Sequence, residues 1–168
     1  MKWIRRLLLC ALLAAVGLAS TACSVYRESA ALLPGIEFGM SAAQAKAVLG
    51  EPDGEEQITG MNDLTYTWLT YENVHVQGHP AAVRLKFAPD WRGTVLIEFT
   101  ITFASEEKAA LLAELDAALA AELAGFSRRE RTDGVDYDMN RGPVGTWYML
   151  KIRENDVWLH GECNEYSR

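Results

Sequence analysis

TVLIEFTITF, residues 94–103, is the stretch of this chain that most clearly indicates its fold. Apolar residues occupy every second position from Val95 to Phe103, and the positions between them are Leu, Glu and Thr. Successive side chains of a strand point to opposite faces, so this spacing predicts a long β-strand with one buried face. Alternation in Leu64–Val76 and Val83–Phe87 predicts two more strands just before it. Three strands in succession predict an antiparallel meander.

A short helix is predicted before the meander. Ser41 is an N-cap candidate, and Gln44 stands three residues later, which is the capping-box pattern. Good helix formers continue to Leu49, after which Gly50 and Pro52 end the helix. The first half is therefore predicted to be one helix followed by three strands.

A second helix and more strands are predicted after the meander. Ser105 is the N-cap candidate, leucines recur every four residues from Leu111 to Leu123, and Gly125 ends the helix. Three alternating segments follow, at residues 135–139, 147–153 and 157–163. The expected fold class is thus α+β, a short helix with a three-stranded antiparallel meander, repeated as a second αβββ unit.

The first 23 residues have the pattern of an export signal. Lys2, Arg5 and Arg6 precede the uncharged apolar run Leu7–Ala19. This run is shorter than the roughly 20 apolar residues that a membrane-spanning helix needs, and it has the length of a secretory h-region. Small residues then lead to Cys23.

Ser20-Thr21-Ala22-Cys23 resembles the lipobox of bacterial lipoprotein signals, with Ser20 where Leu is usual. The resemblance implies cleavage between Ala22 and Cys23 and acylation of Cys23, palmitate included, which would anchor the chain to a membrane. In lipoproteins of this kind, an Asp directly after the acylated cysteine commonly signals retention in the inner membrane. By the same resemblance, Ser24 at this position favours the periplasmic face of the outer membrane, or the cell membrane if the host has only one. The alternatives are an ordinary cleaved signal and an uncleaved anchor.

A second resemblance concerns residues 36–103. The motifs that carry it are Gly39-Met40-Ser41 with Gln44, Leu49-Gly50-Glu51-Pro52, Tyr66-Thr67-Trp68, Leu85-Lys86-Phe87 and Gly93-Thr94-Val95. Together they resemble the SmpA/OmlA (BamE-like) family of small outer-membrane lipoproteins, which implies a helix-plus-meander fold and a role beside outer-membrane assembly. Two tandem units also resemble the β-lactamase-inhibitor-protein architecture, in which an exposed sheet face grips an enzyme.

These patterns predict four parts of the chain. They are a signal peptide (1–22), a lipidated N-terminus and tether (23–35), a BamE-like helix-plus-sheet unit (36–103) and a second helix-plus-sheet unit (104–168). Without residues 1–22 the chain keeps 13 basic residues against 23 acidic ones, a net charge of −10. So acidic a protein repels phosphate backbones, which argues against nucleic acid as a partner.

Motifs for catalysis or cofactor binding are not recognisable in the sequence, and we expect no cofactor. His75 and His79 flank a turn and lack the converging ligands of a zinc site. Asp136, Asp138 and Asn140 resemble the start of a calcium loop, but the Gly and Glu required further on are missing, so a solvated strand face is the better interpretation. No metal site is predicted.

The remaining candidates concern partner binding. Trp91 and Arg92 lie in a hairpin connection, where burial is difficult to arrange, and Trp and Arg are common interface hot spots. The cluster Arg128, Arg129 and Arg131 is expected to be a salt-bridged strand surface. Cys163 lies in an alternating apolar pattern and is expected to be a buried, inert thiol.

The sequence therefore predicts a membrane-anchored, exported lipoprotein that is not an enzyme. It would act as a protein-binding or scaffold module of the cell envelope, as an accessory to outer-membrane assembly. Two alternatives stay open at this point. One is a lipoprotein inhibitor of an envelope or extracellular hydrolase, and the other is an envelope enzyme with an unrecognised carboxylate site.

Overall fold

The computed structural model describes residues 28–60, 63–90, 93–141 and 144–165. The elements in these ranges are α1 (Ala42–Leu49), β1 (Gly54–Thr59), β2 (Thr65–Val76), β3 (His79–Asp90), β4 (Gly93–Ala104), α2 (Lys108–Glu122), β5 (Ser127–Arg131), β6 (Gly134–Arg141), β7 (Val144–Ile152) and β8 (Asp156–Cys163). Neither helix is long and apolar enough to cross a membrane, a result that concerns the described residues alone.

The described strands form one antiparallel sheet, in the order β1-β2-β3-β4-β8-β7-β6-β5. Each helix is followed by four strands, and the two groups of four meet where β4 pairs with β8, Ile101 opposite Leu159. The predicted α+β fold of two three-stranded units, BamE-like or similar to the β-lactamase inhibitor protein, is therefore wrong. The chain forms an open eight-stranded antiparallel sheet with two helices.

The strands missed by the sequence analysis, β1 and β5, are the two edges of the sheet. Their sequences are GEEQIT and SRRER, and nearly all of their residues are exposed. An edge strand that buries neither face has no apolar alternation, and alternation is the signal by which strands are recognised. Hydrogen bonding to β2 and β6 therefore determines both strands.

The local signals for the helices were partly correct. The capping box is confirmed, because the Ser41 backbone N–H donates to Gln44 Oε1 at 2.8 Å and the Gln44 backbone N–H donates to Ser41 Oγ at 3.3 Å. The second helix begins later than predicted, with Glu107 at the N-cap. Ser105 Oγ instead accepts a hydrogen bond from the Glu107 backbone N–H at 3.1 Å.

One face of the sheet carries the hydrophobic core. A row of directly paired residues crosses it from strand to strand: Leu69, Leu85, Phe99, Gly161, Tyr148 and Tyr137. Helix α2 packs against β7 and β8 and buries Leu111, Leu115 and Leu119, while α1 packs against β4. Both helices therefore cover the same face, which we call the helix face.

Residues 28–41 fill the space between the helices on the helix face. Phe38 contacts the rings of Phe99 and Tyr148, with centroids 5.8 Å and 6.4 Å apart. The Tyr148 hydroxyl donates to the Ser29 carbonyl at 2.9 Å, and Thr146 Oγ1 donates to the Glu28 carboxylate. The part of the predicted tether that the structure describes is thus packed against the second half of the sheet.

Gly161 marks the closest packing between the two halves. A Cβ atom at this position would lie 2.4 Å from Phe99 Cε1 and 2.9 Å from Tyr148 Cδ1. Both rings are fully buried. Only glycine leaves room for these two rings, one on β4 and one on β7, to pack together over β8.

Candidate functional site

The side of the sheet opposite the helices is the candidate functional site, and we call it the open face. Its side chains alternate with those of the core row. One directly paired row across it consists of Glu56, Trp68, Lys86, Glu98, Glu162, Trp147 and Asp138. A second, parallel row consists of Thr70, Arg84, Thr100, His160, Met149, Asp136 and Arg129.

An aromatic cluster occupies the β7–β8 part of the open face. The His160 imidazole stacks on the Trp158 ring, with centroids 5.1 Å apart and an interplanar angle of 15°. It also contacts the Trp147 ring at 4.8 Å between centroids. On the Trp158 ring lies the Arg153 guanidinium, 4.1 Å from the centroid. These contacts hold two large aromatic side chains in fixed positions on the sheet.

A second aromatic cluster lies on β2 and β3. The Arg84 guanidinium is 4.7 Å from the Trp68 ring centroid, and Lys86 Nζ lies 5.3 Å from the Trp68 centroid and 5.0 Å from that of Tyr66. Cations above aromatic rings are attracted by the negative face of the ring. The cluster therefore combines flat apolar surface with positive charge.

Charged groups connect the two clusters across the central strands. Glu98 and Glu162 are directly opposite each other on β4 and β8. Like charges in this arrangement destabilise a sheet unless neighbouring polar groups offset their repulsion. Lys86 Nζ contacts Glu98 Oε2 at 2.7 Å, and the His160 ring nitrogens lie 3.8 Å from one oxygen each of Glu98 and Glu162. The centre of the open face is a compact polar network between aromatic groups.

A shallow cavity of about 430 Å³ lies at the β5–β7 end of the sheet. Arg129, Asp136, Asp138, Trp147 and Met149 line it from the open face, together with other residues of β5–β7. Arg131 Nε donates to Asp136 Oδ2 at 2.6 Å.

The arginine cluster is divided between the two faces of the sheet. Arg128 points to the helix face, where its guanidinium contacts the Asp116 carboxylate of α2 at 2.6 Å. This hydrogen bond lowers the pKa of Asp116 below its ordinary value. Burial and the Asp116 carboxylate raise the pKa of Tyr137 to about 12. The expected salt-bridged surface is confirmed for Arg128 and Arg131.

The other residues singled out from the sequence have these positions. Ala22, Cys23, Trp91 and Arg92 lie outside the described residues. His79 contacts Glu114 of α2 at 3.1 Å. In the ranges that the structure describes, no three His, Cys, Asp or Glu side chains are grouped as metal ligands.

Cys163 is a buried free thiol, as predicted, and burial raises its pKa. Its side chain lies on the helix face, where Thr146 is the residue paired with it on β7. It is therefore separated by the thickness of the sheet from the clusters of the open face.

Trp147, Trp158 and His160 of the open face were visible in the sequence only as the partners of the apolar positions in two alternating segments. Trp68 instead alternates with Leu64 and Tyr66 as the apolar set of its segment, and the structure buries the other set of that strand, Leu69 and Tyr71. Large aromatic residues at solvent-facing positions of several strands are the signal that could have identified them, although their convergence depends on strand order. No known protein family, curated protein or solved structure matches this chain.

Proposed function

We propose that this chain is a lipid-anchored, exported, non-catalytic protein-binding module, and that its partner docks on the open face. The observation that carries the proposal is the distribution of packing. Both helices and residues 28–41 lie on the helix face, while Trp68, Trp147 and Trp158 lie on the other side of the sheet. Trp, Tyr and Arg are the residues most enriched among interface hot spots, and the open face presents all three.

The dimensions and composition of the open face suit a protein partner. Eight strands at about 4.8 Å spacing give a width of about 34 Å, and strands of eight residues are about 26 Å long. The resulting area of about 900 Å² is close to the ~800 Å² that each partner buries in a standard interface. Stacked rings and cations held over them are already ordered, which reduces the entropy lost on binding.

The lipid anchor on Cys23 is part of the same proposal. Glu28, where the described structure begins, is the fifth residue after Cys23, and five residues span at most about 18 Å. Acyl chains on Cys23 would therefore hold the sheet close to a membrane surface, at the periplasmic face of the outer membrane. A partner that docks there belongs to the cell envelope. Mass spectrometry of the protein from its host should find Cys23 acylated and N-terminal; an unmodified thiol would refute the anchor.

Site-specific photo-crosslinking in host cells tests the docking face. A photo-reactive residue replaces Thr102, on the open face, or Val48, which is 47% exposed on α1. We expect a defined protein adduct from position 102 and none from position 48. The adduct from position 102 should be lost in the double variant Trp68→Ala/Trp158→Ala. Adducts only from position 48, or an adduct from position 102 that survives the double variant, would refute the proposal.

The identity of the adduct distinguishes the roles. A component of the outer-membrane assembly machinery would support the accessory role that the SmpA/OmlA resemblance suggests. A hydrolase whose activity falls when this protein is added would support the inhibitor role. In both cases Val48→Ala is the matched control, because it removes exposed apolar surface from the helix side of the molecule.

A further inference from the structure

The two edges of the open sheet carry opposite charges. The edge strand β1 has the sequence GEEQIT, with Glu55 and Glu56 exposed. The edge strand β5 has the sequence SRRER, with Arg128, Arg129 and Arg131 exposed. Edge strands present unpaired backbone N–H and C=O groups, which can pair with another chain. One such row is acidic here and the other is mainly basic.

We propose that β1 of one copy of this chain pairs with β5 of a second copy, so that copies associate head to tail along the sheet. Neighbouring strands are antiparallel throughout the eight-stranded sheet, so the two edge strands, β1 and β5, run in opposite directions. A second copy in the same orientation therefore presents its β1 antiparallel to the first copy's β5. Pairing continues the existing sheet without a rearrangement of either copy, and it does not rest on the proposed function.

The side chains at the two edges are compatible with this pairing. Glu56, Arg129 and Arg131 all lie on the open face, because they pair with residues of that face on β2 and β6. The Glu56 side chain is 61% exposed and lies 3.8 Å from Arg84, and Arg129 makes no ion pair with any residue in the described ranges. A register with Glu56 opposite Arg131 places Arg129 diagonally across, and opposite charges at these positions stabilise a strand pair.

The same charges disfavour the symmetric alternatives. A two-fold β1–β1 contact would set glutamates against glutamates, and a β5–β5 contact would set arginines against arginines. Charged residues on edge strands commonly prevent edge-to-edge association, and here they prevent it only between like edges. A head-to-tail contact leaves one free β1 and one free β5 at its ends, so it builds rows of copies and not closed dimers.

Crosslinking of the full chain in intact host cells tests the arrangement. In the proposed register Ile58 lies diagonally across from Ser127, so the double variant Ile58→Cys/Ser127→Cys should give a ladder of dimers and larger species with a short bismaleimide. Within one chain these positions lie at opposite edges, about 34 Å apart at ~4.8 Å per strand, beyond the reach of the reagent. Each variant with only one of the two introduced cysteines should stay monomeric. A dimer from either single variant, or no ladder from the double variant, would overturn the proposal.

Charge reversal tests whether the opposite charges of β1 and β5 cause the head-to-tail association. In the chain with both introduced cysteines, Glu56→Lys or Arg131→Glu should weaken the ladder about 10-fold, and both changes in one chain should restore it, because they exchange the charges of the directly opposed pair. Glu106→Lys is the matched control for Glu56→Lys, because it changes the net charge by the same amount and in the same direction at an exposed site away from both edges. If the control weakens the ladder as strongly, or the double reversal does not restore it, pairing of these edges is refuted.

Discussion

Replacement of Gly161 by alanine tests whether close packing at the centre of the sheet joins the two halves. The new Cβ would lie 2.4 Å and 2.7 Å from Phe99 Cε1 and Cζ, and 2.9 Å from Tyr148 Cδ1. Carbon atoms in good contact are about 3.5–4.0 Å apart, so the Phe99 ring must move by about 1 Å. It is fully buried and packs on Phe38 at 5.8 Å and on Tyr148 at 6.1 Å between centroids, so this movement disturbs two further rings.

Overpacking of a core costs about 1–3 kcal/mol, and the backbone on both sides of Gly161 is held in the central strand pair. We therefore expect Gly161→Ala to lower the free energy of unfolding by about 3 kcal/mol. For a chain of this size the melting temperature should fall by about 6–12 °C. Urea denaturation followed by tryptophan fluorescence and by circular dichroism measures both the loss and the cooperativity of unfolding.

Two further variants identify the cause of the loss. Gly54→Ala is the matched control, because its Cβ would meet Thr70 Cβ at 3.7 Å, an ordinary contact. Phe99→Leu removes Cε1 and Cζ, so the double variant Gly161→Ala/Phe99→Leu should lose less stability than the two single losses added together. If Gly161→Ala is as stable as the parent chain, or the losses simply add, the steric argument is wrong.

Other predictions concern the helices and the buried groups. Ser41→Ala should lower the free energy of unfolding by about 1 kcal/mol in urea titrations, because the capping box is lost; an unchanged midpoint would contradict this. The depressed pKa of Asp116 stabilises the fold above the ordinary carboxyl pKa, and this stabilisation is lost as the pH falls through the folded-state pKa. Asp116→Asn should therefore be less stable than the parent at pH 7, with a difference that shrinks in acid melts; a constant difference would refute the linkage. Ultraviolet titration should show Tyr137 ionising near pH 12, and Tyr137→Phe should remove that transition. Cys163 should react with a thiol reagent only after denaturation, since it is 2% exposed; rapid native reaction would show that the core opens.

The sequence predicted most of the strands correctly, because their periodicity is a local property. Strands β2, β3 and β4 match the three segments of the predicted meander to within one residue at Leu64, and β6–β8 match the three later segments to within one residue at Arg153. The fold class was nevertheless wrong, because β1 and β5 have no alternation and the pairing of β4 with β8 joins residues far apart in the chain. Such pairings depend on the whole folded chain and leave no mark at either strand alone.

The candidate site, too, could be predicted from the sequence only in part. Alternation in the sequence places Trp147 and Lys151 on one side of a strand, and Trp158 and His160 on one side of the next. It does not say whether that side meets helices or solvent, nor that Trp68 of β2 shares the face. The strand order and the position of both helices decide this, because they determine which side of every strand is covered.

By itself, then, the sequence determined the period-two strands, the capping box after Met40, the buried thiol and the acidic balance of the chain. Only the tertiary structure decided that four strands follow each helix, that the two groups merge into one sheet, and that the aromatic and cationic side chains converge on the open face, opposite both helices. The physical reason is the distance along the chain over which each kind of interaction acts. Periodicity and capping act within a few residues, whereas sheet order and the choice of the covered face arise from contacts between segments up to 119 residues apart, as between Tyr148 and Ser29.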